Sequence, residues 1–423
     1  MITRRDLVRA LLRRSVADWI VLEHAQELGV ADDTHDLRRR EHRTRSTVII
    51  HHDVPRGRGS ARLEITSSSD GDALGLVDEA ISLAATTVGP AWKTAPPAAP
   101  AQVRVLDPAL TERDLVEAAA AIARGVRMRG SGSSVSVAAT VLRERITVQA
   151  KSGFHDEWLA SQLRVEGLVI AAERSLEIVR EARRISDLGL APAIAAAQAD
   201  LEQLGEAGPP IAGRADLILS ADALLHGEGL GVWSVFAAQA ESIAERQGIT
   251  RYRVGTPIAP GANQVDEPLT ITSDGALDFA TRSNPVGDDG DAIRRFPMIE
   301  RGVSVGLGLS VREAALRGRD PNGGVRNLVV APGTWHGKPG AGRTIEIRRL
   351  HALSIDPYTG DASLELALAY DHRDGRSRPF TGGTIRLDLV SALARARRSA
   401  TTLQRGAYLG PASVWIDGAT LVV

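Results

Sequence analysis

Along the chain the spacing of apolar positions changes several times, and each change marks an element. Residues 3–14 alternate arginines with apolar side chains at helical spacing, which predicts a short basic amphipathic helix. Trp19–Glu23, Thr47–His51 and Ala61–Thr66 read as strands, the last two separated by the turn-forming Pro55-Arg56-Gly57-Arg58-Gly59. Residues 27–45 are polar and dense in charge and read as a connection. Leu76, Ala80, Ile81 and Ala84 give residues 72–88 a helical face, and residues 89–101, with four prolines, read as an extended linker. A helix is predicted from Thr111, whose spacing to Asp114 is a capping-box pattern, with Leu115, Ala118, Ala119, Ile122 and Val126 on one face. Strands are expected at Ser134–Leu142 and Ile146–Lys151, with a hairpin turn at Arg143-Glu144, and at Arg164–Ala171. Helical spacing returns over 174–186 and 191–204.

Gly205-Glu206-Ala207-Gly208-Pro209-Pro210 breaks this pattern and divides the chain into an N-terminal α/β domain, residues 1–208, and a C-terminal β-rich domain, residues 209–423. One helix, over Ser234–Gln247, is expected in the second part. The rest alternates with period two, at Val303/Val305/Leu307/Leu309, Ile345/Ile347 and Leu364/Leu366/Leu368/Tyr370, with turns at Asp374-Gly375 and Gly382-Gly383. The predicted fold class is therefore α+β: an N-terminal α/β domain followed by a largely antiparallel, barrel-like β domain.

Length agrees with two domains, since 423 residues exceed one ordinary core. Fifty-one basic and 52 acidic residues leave a net charge of −1, a balance without a global field to hold a polyanion such as DNA, so no nucleic-acid partner is expected. The absence of cysteine excludes disulfides, thiolate metal sites and a cysteine nucleophile. The charged N-terminus and the lack of any apolar run long enough to span a bilayer argue against a signal peptide and a membrane partner, and the cytoplasm is the expected location.

Several segments of the second half, in order, resemble the TldD/PmbA family, long labelled modulators of DNA gyrase and understood as peptidases. They are Leu219–His226, Pro268–Asp274, Asn284–Asp291, Met298–Val303, Val325–Gly333, Asp356–Ser363, Gly382–Ile385 and Gly410-Pro411. In the first half Arg145–Gly153 carries a looser likeness. In that family the active TldD member has a helix bearing His-Glu-x-x-x-His and a further cysteine ligand. Two His on neighbouring turns chelate zinc, and the Glu is general base to the bound water.

The corresponding stretch here is His226-Gly227-Glu228-Gly229-Leu230-Gly231. The first His is present, Gly227 stands at the Glu position, Gly231 stands at the second His position, and there is no cysteine. These four positions, His226, Gly227, Glu228 and Gly231, are the vestige of a zinc motif, and three glycines in six residues disfavour a helix. A rearranged site, with His226 and Glu228 joined by Asp288, Asp289 or Asp291, is the competing reading; it needs a loop, because two residues apart on a helix point about 200° away from each other.

The remaining candidates are weaker. Gly287–Asp291 has a calcium-loop flavour without the EF-hand spacing, and reads as an exposed acidic turn. Arg38–Arg45 reads as a solvated basic edge. His51 and His52, adjacent on a strand, face opposite ways and do not chelate together. Gly306 and Gly308, like Gly229 and Gly231, lack the strand-to-helix setting of a dinucleotide fingerprint.

The resemblance implies a chain closest in character to the non-catalytic TldE/PmbA-type subunit, with no catalytic residue and no metal of its own. Zinc would belong to a TldD-like catalytic partner in a heterodimer, and the substrate would be an extended, unfolded peptide or leader segment. Two other readings stay open: an active metallopeptidase with an atypical site, and a stand-alone binding protein without peptidase activity.

Overall fold

Trp19, Val21, Val48 and Ile50 are buried on one face of a strand pair, and Ile20, Leu22 and Ile49 are buried on the other. This double burial explains the unbroken apolar runs at 19–22 and 48–50, which alternation alone does not give. The computed structural model describes residues 2–66, 72–93, 99–129, 134–171, 174–337 and 342–423. Part of the proposed linker, 94–98, lies outside them.

The first sheet has seven antiparallel strands in the order β4-β3-β2-β1-β5-β6-β7, with the chain crossing from β4 at one edge to β5 beside β1. Its strands are β1 (Asp18–Asp32), β2 (Leu37–Val54), β3 (Gly57–Thr66), β4 (Val88–Gly89), β5 (Ser134–Ala150), β6 (His155–Ala171) and β7 (Arg174–Ala182). Four helices cover one face: α1 (Arg4–Leu12), α2 (Ala73–Thr86), α3 (Leu115–Arg129) and α4 (Leu190–Glu206). One apolar cluster joins α1 and α2 to β1–β3, and a second joins α3 and α4 to β5–β7. On the opposite face Ile20, Ile49 and Val148 pack with Val286 from the second half of the chain.

Four sequence expectations change here. The charged stretch 27–45 is no loop but the outer part of the β1–β2 hairpin, where Arg38–Arg45 pair in register with Ala31–His24. A polar strand holds because the ladder satisfies its backbone even where no core covers its side chains. β5 runs unbroken through Arg143-Glu144, flanked by β1 and β6 over its length, and turns only at Lys151–Phe154. Residues 174–182 form β7 rather than a helix: Leu176, Ile178, Arg180 and Ala182 alternate inward, a pattern that also fits helical spacing over so short a window. The helix expected from Thr111 begins at Leu115, capped by Asp114, whose carboxylate accepts from the N–H groups of Val116 and Glu117 at 2.9 and 3.2 Å.

In the second half β13 (Thr344–Ile355), β8 (Gly213–Leu219), β20 (Val414–Val422), β16 (Thr384–Asp388) and β14 (Asp361–Arg373) pair in a ring, since β13 also pairs with β14. The result is a closed five-stranded barrel, antiparallel except for β8 against β13. β15 (Arg376–Phe380) and β17 (Arg397–Arg398) extend it. A second, six-stranded sheet has the order β11-β10-β9-β12-β19-β18, from Val303–Ser304, Phe296–Glu300, Ile271–Asp274, Asn327–Val330, Tyr408–Pro411 and Thr402–Arg405. A single apolar cluster from Ala215 to Leu421 fills the space between them.

Short helices α5 (Ala221–Leu224), α6 (Ser234–Gln239), α7 (Ser242–Gln247), α8 (Val311–Leu316) and α9 (Leu389–Arg395) complete the chain. The single helix expected over Ser234–Gln247 is thus two helices with a break at Ala240–Glu241. The alternation at 303–309 yields only the two residues of β11. Leu307 and Leu309 are buried from irregular backbone, and Gly306 and Gly308 are tightly approached there: a Cβ on Gly306 would lie 2.2 Å from the Pro297 carbonyl oxygen.

Arg183 ties the two halves together. Its side chain donates to five carbonyl oxygens, Ala280 (2.9 Å), Val105 (3.3 Å), Ser161 (3.1 Å), Thr281 (3.0 Å) and Ser283 (2.7 Å), and has no carboxylate partner among the described residues. Burial holds it below the usual guanidinium range, at about 10. Lysine has three donors and cannot span five acceptors. Arg183→Lys and Arg183→Ala are each predicted to lower the unfolding free energy by about 3 kcal/mol or more, the cost of buried carbonyls left unpaired. Urea denaturation of the variants checks this, and a loss below about 1 kcal/mol would refute it.

A guanidinium cluster and groove between the sheet edge and the barrel

Strand β8 leads into Ser220, whose hydroxyl caps α5 by accepting from the Ala223 N–H at 3.4 Å. The helix stops after Leu224. From there Gly227, Glu228, Gly229 and Gly231 all take positive φ, at 71°, 64°, 69° and 51°, and the chain coils instead of continuing a helix. At Gly231 a Cβ would fall 2.0 Å from the Leu224 carbonyl oxygen, so this backbone has no room for a side chain where the resemblance sets the second His. A left-handed Glu228 is sterically costly, and what holds it is its carboxylate.

Glu228 is buried, with its side chain 1% exposed. Its Oε2 accepts from the Glu181 N–H on β7 at 3.0 Å, and its Oε1 lies 2.8 Å from Arg405 Nε and 3.7 Å from Arg180 Nη1. The Arg405 contact is close but poorly aligned as a hydrogen bond, and among the described residues neither atom has a hydrogen-bond partner. Burial raises the Glu228 pKa, and Arg405 and Arg180 offset this only in part.

Asp222 on α5 is the centre of the cluster. Arg180 Nη2 (3.0 Å) and Arg405 Nη1 (2.6 Å) donate to its Oδ1, and Arg349 Nη1 lies 2.8 Å from its Oδ2. Burial alone would raise its pKa, but Arg349, Arg180 and Arg405 outweigh it and hold the group well below the usual carboxylate range. Arg349 also donates through Nε to Asp200 on α4 at 2.8 Å. A bulge in the β13–β14 ladder around Arg349 breaks the alternation and buries both Arg349 and Leu350. Five separate pieces of chain, β7, α4, α5 with its turn, β13 and β18, therefore meet here.

Leu176, Glu177, Val179, Leu225, His226 and Leu350 line a cleft over this cluster. The cleft continues into a groove past His351 and Ala367 towards Gly382–Thr384, with Arg174–Glu177 of β7 along one side. Among the described residues β7 pairs only with β6, so its other edge faces this groove. Backbone N–H and C=O groups of alternate residues share one edge of an antiparallel strand. Because the Glu181 N–H meets Glu228, those of Ser175, Glu177 and Val179 also point outward. At the inner end the edge is closed, with Glu181 N–H held by Glu228 and the Val179 carbonyl accepting from Arg180 Nη1 at 2.7 Å.

His226 lies at the rim of the cleft. Burial lowers its pKa, with Glu177 opposing and His351 adding to the shift. The residues do not fit a zinc ion: Glu228 is engaged by guanidinium groups that would repel a cation, and Gly231 cannot be replaced in place. Among the described residues no group of three or more His, Asp or Glu is arranged to hold a metal, so Asp288, Asp289 and Asp291 do not join His226.

The acidic run itself differs from the exposed turn expected of it. Asp288 is exposed and pairs with Arg326 at 3.1 Å, whereas Asp291 is 5% exposed with one oxygen unpartnered. Burial and then the nearby Asp289 push the Asp291 pKa up to about 7. Arg38, Arg39, Arg40 and Arg43 form ion pairs with Glu117, Glu41, Asp114 and Glu41 respectively. His51 is buried against Trp92 with its Nδ1 2.9 Å from Ser60 Oγ, and burial lowers its pKa to about 4. Sequence reasoning missed Arg180, Arg349, Arg405 and Asp200, which are far apart in the chain. The one available signal was a charged residue, Arg180, at an inward position of an alternating strand.

Residues 213–422 match the PmbA/TldA metallopeptidase C-terminal domain. The chain belongs to the TldD/PmbA family. Solved structures of similar fold include TM0727 of Thermotoga maritima, described as a modulator of a DNA gyrase (TM-score 0.78, 14% identity, 99% of each chain covered). TldE of Thermococcus kodakarensis (TM-score 0.74, 16% identity, 99% of this chain and 100% of that one) and the gyrase-modulator-like BT3649 of Bacteroides thetaiotaomicron (TM-score 0.77, 14% identity, 100% and 99%) are also similar. At these identities the likeness is one of fold. Uncharacterized protein MJ0231 of Methanocaldococcus jannaschii is 23% identical over 228 residues, and the match spans 51% of this chain and 53% of that one, about half of each.

The buried charges make stability depend on pH in two opposite ways. Asp222→Ala should cost about 3–5 kcal/mol of stability by leaving buried guanidinium groups unpaired. A carboxyl with a lowered folded pKa stabilises above its unfolded pKa, so this deficit should shrink as the pH falls below about 4; denaturation at pH 7 and pH 3 tests it. Asp291 has the opposite sign. Its raised pKa makes the folded state bind the proton more tightly, so its contribution to stability falls as pH rises from about 4 to about 7. Asp291→Asn should flatten the stability profile over that window, and an unchanged slope would refute the assignment.

Proposed function

We propose that this chain is the non-catalytic subunit of a two-chain TldD/TldE-like metallopeptidase that acts on unfolded peptides. The observation that carries this reading is the turn at 225–231. In place of a helix presenting His and Glu, the segment coils at four left-handed residues and commits Glu228 to Arg180 and Arg405. Zinc, in this reading, is held by a TldD-like partner, and the chemistry of bond cleavage is the partner's. This chain supplies the outward edge of β7 and the groove beside it. An extended peptide recognised by main-chain hydrogen bonds to such an edge binds with little regard to sequence, which suits unfolded substrates or leader segments.

The decisive measurement is zinc per chain, by elemental analysis of protein purified alone from zinc-supplemented medium, with peptidase assays before and after adding a TldD-like chain. The expected result is near-zero zinc and cleavage that requires both chains, with chelator abolishing it. About one zinc per chain, lost in His226→Ala and accompanied by cleavage by this chain alone, would sink the proposal and favour an atypical metallopeptidase.

A further inference from the structure

The groove along β7 does not run out to solvent at its inner end; it runs into arginine. Arg349 uses Nε on Asp200 and Nη1 on Asp222, and Arg405 uses Nε against Glu228 and Nη1 on Asp222. The Nη2 group of each has no partner among the described residues. Neither Nη2 is among the enclosed polar atoms that lack one. Both residues line it, at 8% and 13% side-chain exposure, with Leu176, Val179, Leu225 and Leu350 excluding water around them. Three guanidinium groups share the two carboxylates of Asp222 and Glu228, while Asp200 is divided between Arg348 and Arg349. Burial and the neighbouring Arg405 hold Arg180 below the usual guanidinium range, as expected of a cluster short of negative charge. Two carboxylates line the cleft: Asp222, already engaged by the arginines, and Glu177, at the exposed outer lip.

We propose that Arg349 and Arg405, backed by Arg180, form a subsite for a carboxylate at the leading end of an extended peptide lying along β7. This rests on the peptide-groove reading above and deepens it. Paired guanidinium donors in a water-poor cleft match the two oxygens of a carboxylate, and such charge-assisted bonds are about twice as strong as neutral ones. The strand edge closes where the arginines begin, because Val179 O and Glu181 N–H are already occupied. An added strand must therefore end there. β7 runs towards the cluster, so a peptide that presents its C-terminal carboxylate to the arginines lies parallel to β7. An acidic last side chain offers the same chemistry.

The test is a fluorescence anisotropy titration of the full chain with a dye-labelled, unstructured peptide of about ten Ala, Leu and Ser residues, long enough to track the strand edge. It is used as the free acid, as the C-terminal amide, and as an amide ending in Glu. The free acid is expected to bind about tenfold more tightly than the plain amide, in line with a charge-assisted pair. In Arg405→Gln that difference should collapse. The comparison of acid with amide on the unaltered chain does not depend on the variant folding. A Glu-ended amide that matches the free acid supports the subsite and assigns it to a side-chain carboxylate. Equal binding of acid and plain amide overturns the subsite and leaves the groove standing; binding of neither overturns the groove and the subsite together.

Discussion

Asp222 holds three guanidinium groups around one largely buried carboxylate, 20% exposed, and much of the molecule is arranged to make that contact. Arg180 comes from the N-terminal sheet, Arg349 from the barrel and Arg405 from the second C-terminal sheet. None of them is stable in a dry interior without a counter-charge, and Asp222 is not stable there without them. The cluster therefore fixes how the sheet edge and the barrel sit relative to each other. The same constraint dictates the local backbone: Glu228 accepts a left-handed conformation because its carboxylate completes the cluster and caps the Glu181 N–H.

Arg183, three residues further along from Arg180, solves a related problem by other means. It meets five carbonyl oxygens instead of carboxylates, and so binds the loop at 280–283 to the sheet without a second charge. The two arginines lie near the end of one edge strand. Arg180 closes the strand's free edge with its own carbonyl contact, and Arg183 anchors the chain just beyond the strand's end. The upstream part of β7, from Ser175 to Val179, is left with outward backbone groups facing a groove. A strand edge is a liability in most proteins; here the barrel stands beside it across the groove.

For a family member the degenerate motif is instructive because its loss has a geometric consequence beyond the missing ligands. A helix with His on successive turns needs side chains on one face. Gly231 packs its Cα against Leu224 and Leu225 so closely that no side chain fits, and Gly227 and Gly229 free the turn to coil. Restoring histidine to position 231 would require rebuilding the backbone, not merely substituting a residue. The turn instead sets Glu228 against the guanidinium groups of Arg180 and Arg405.

The sequence by itself determined the mixed α and β character with largely antiparallel strands, the barrel-forming strands at Ile345/Ile347 and Leu364–Tyr370, the helices at 4–12, 73–86 and 190–206, and the broken motif at 226–231. Each of these depends on local chemistry: hydrophobic period, turn residues, or the identity of a few neighbouring side chains. Tertiary structure alone decided that the charged residues 37–45 are strand, that 174–182 is an edge strand and no helix, and that β5 passes straight through Arg143-Glu144. In those places the backbone conformation is set by ladder partners distant in sequence, which no local pattern records. The guanidinium cluster belongs to the same class. Arg180, Arg349 and Arg405 are three among many arginines, and only the fold brings them onto one carboxylate, a convergence that their sequence positions do not display.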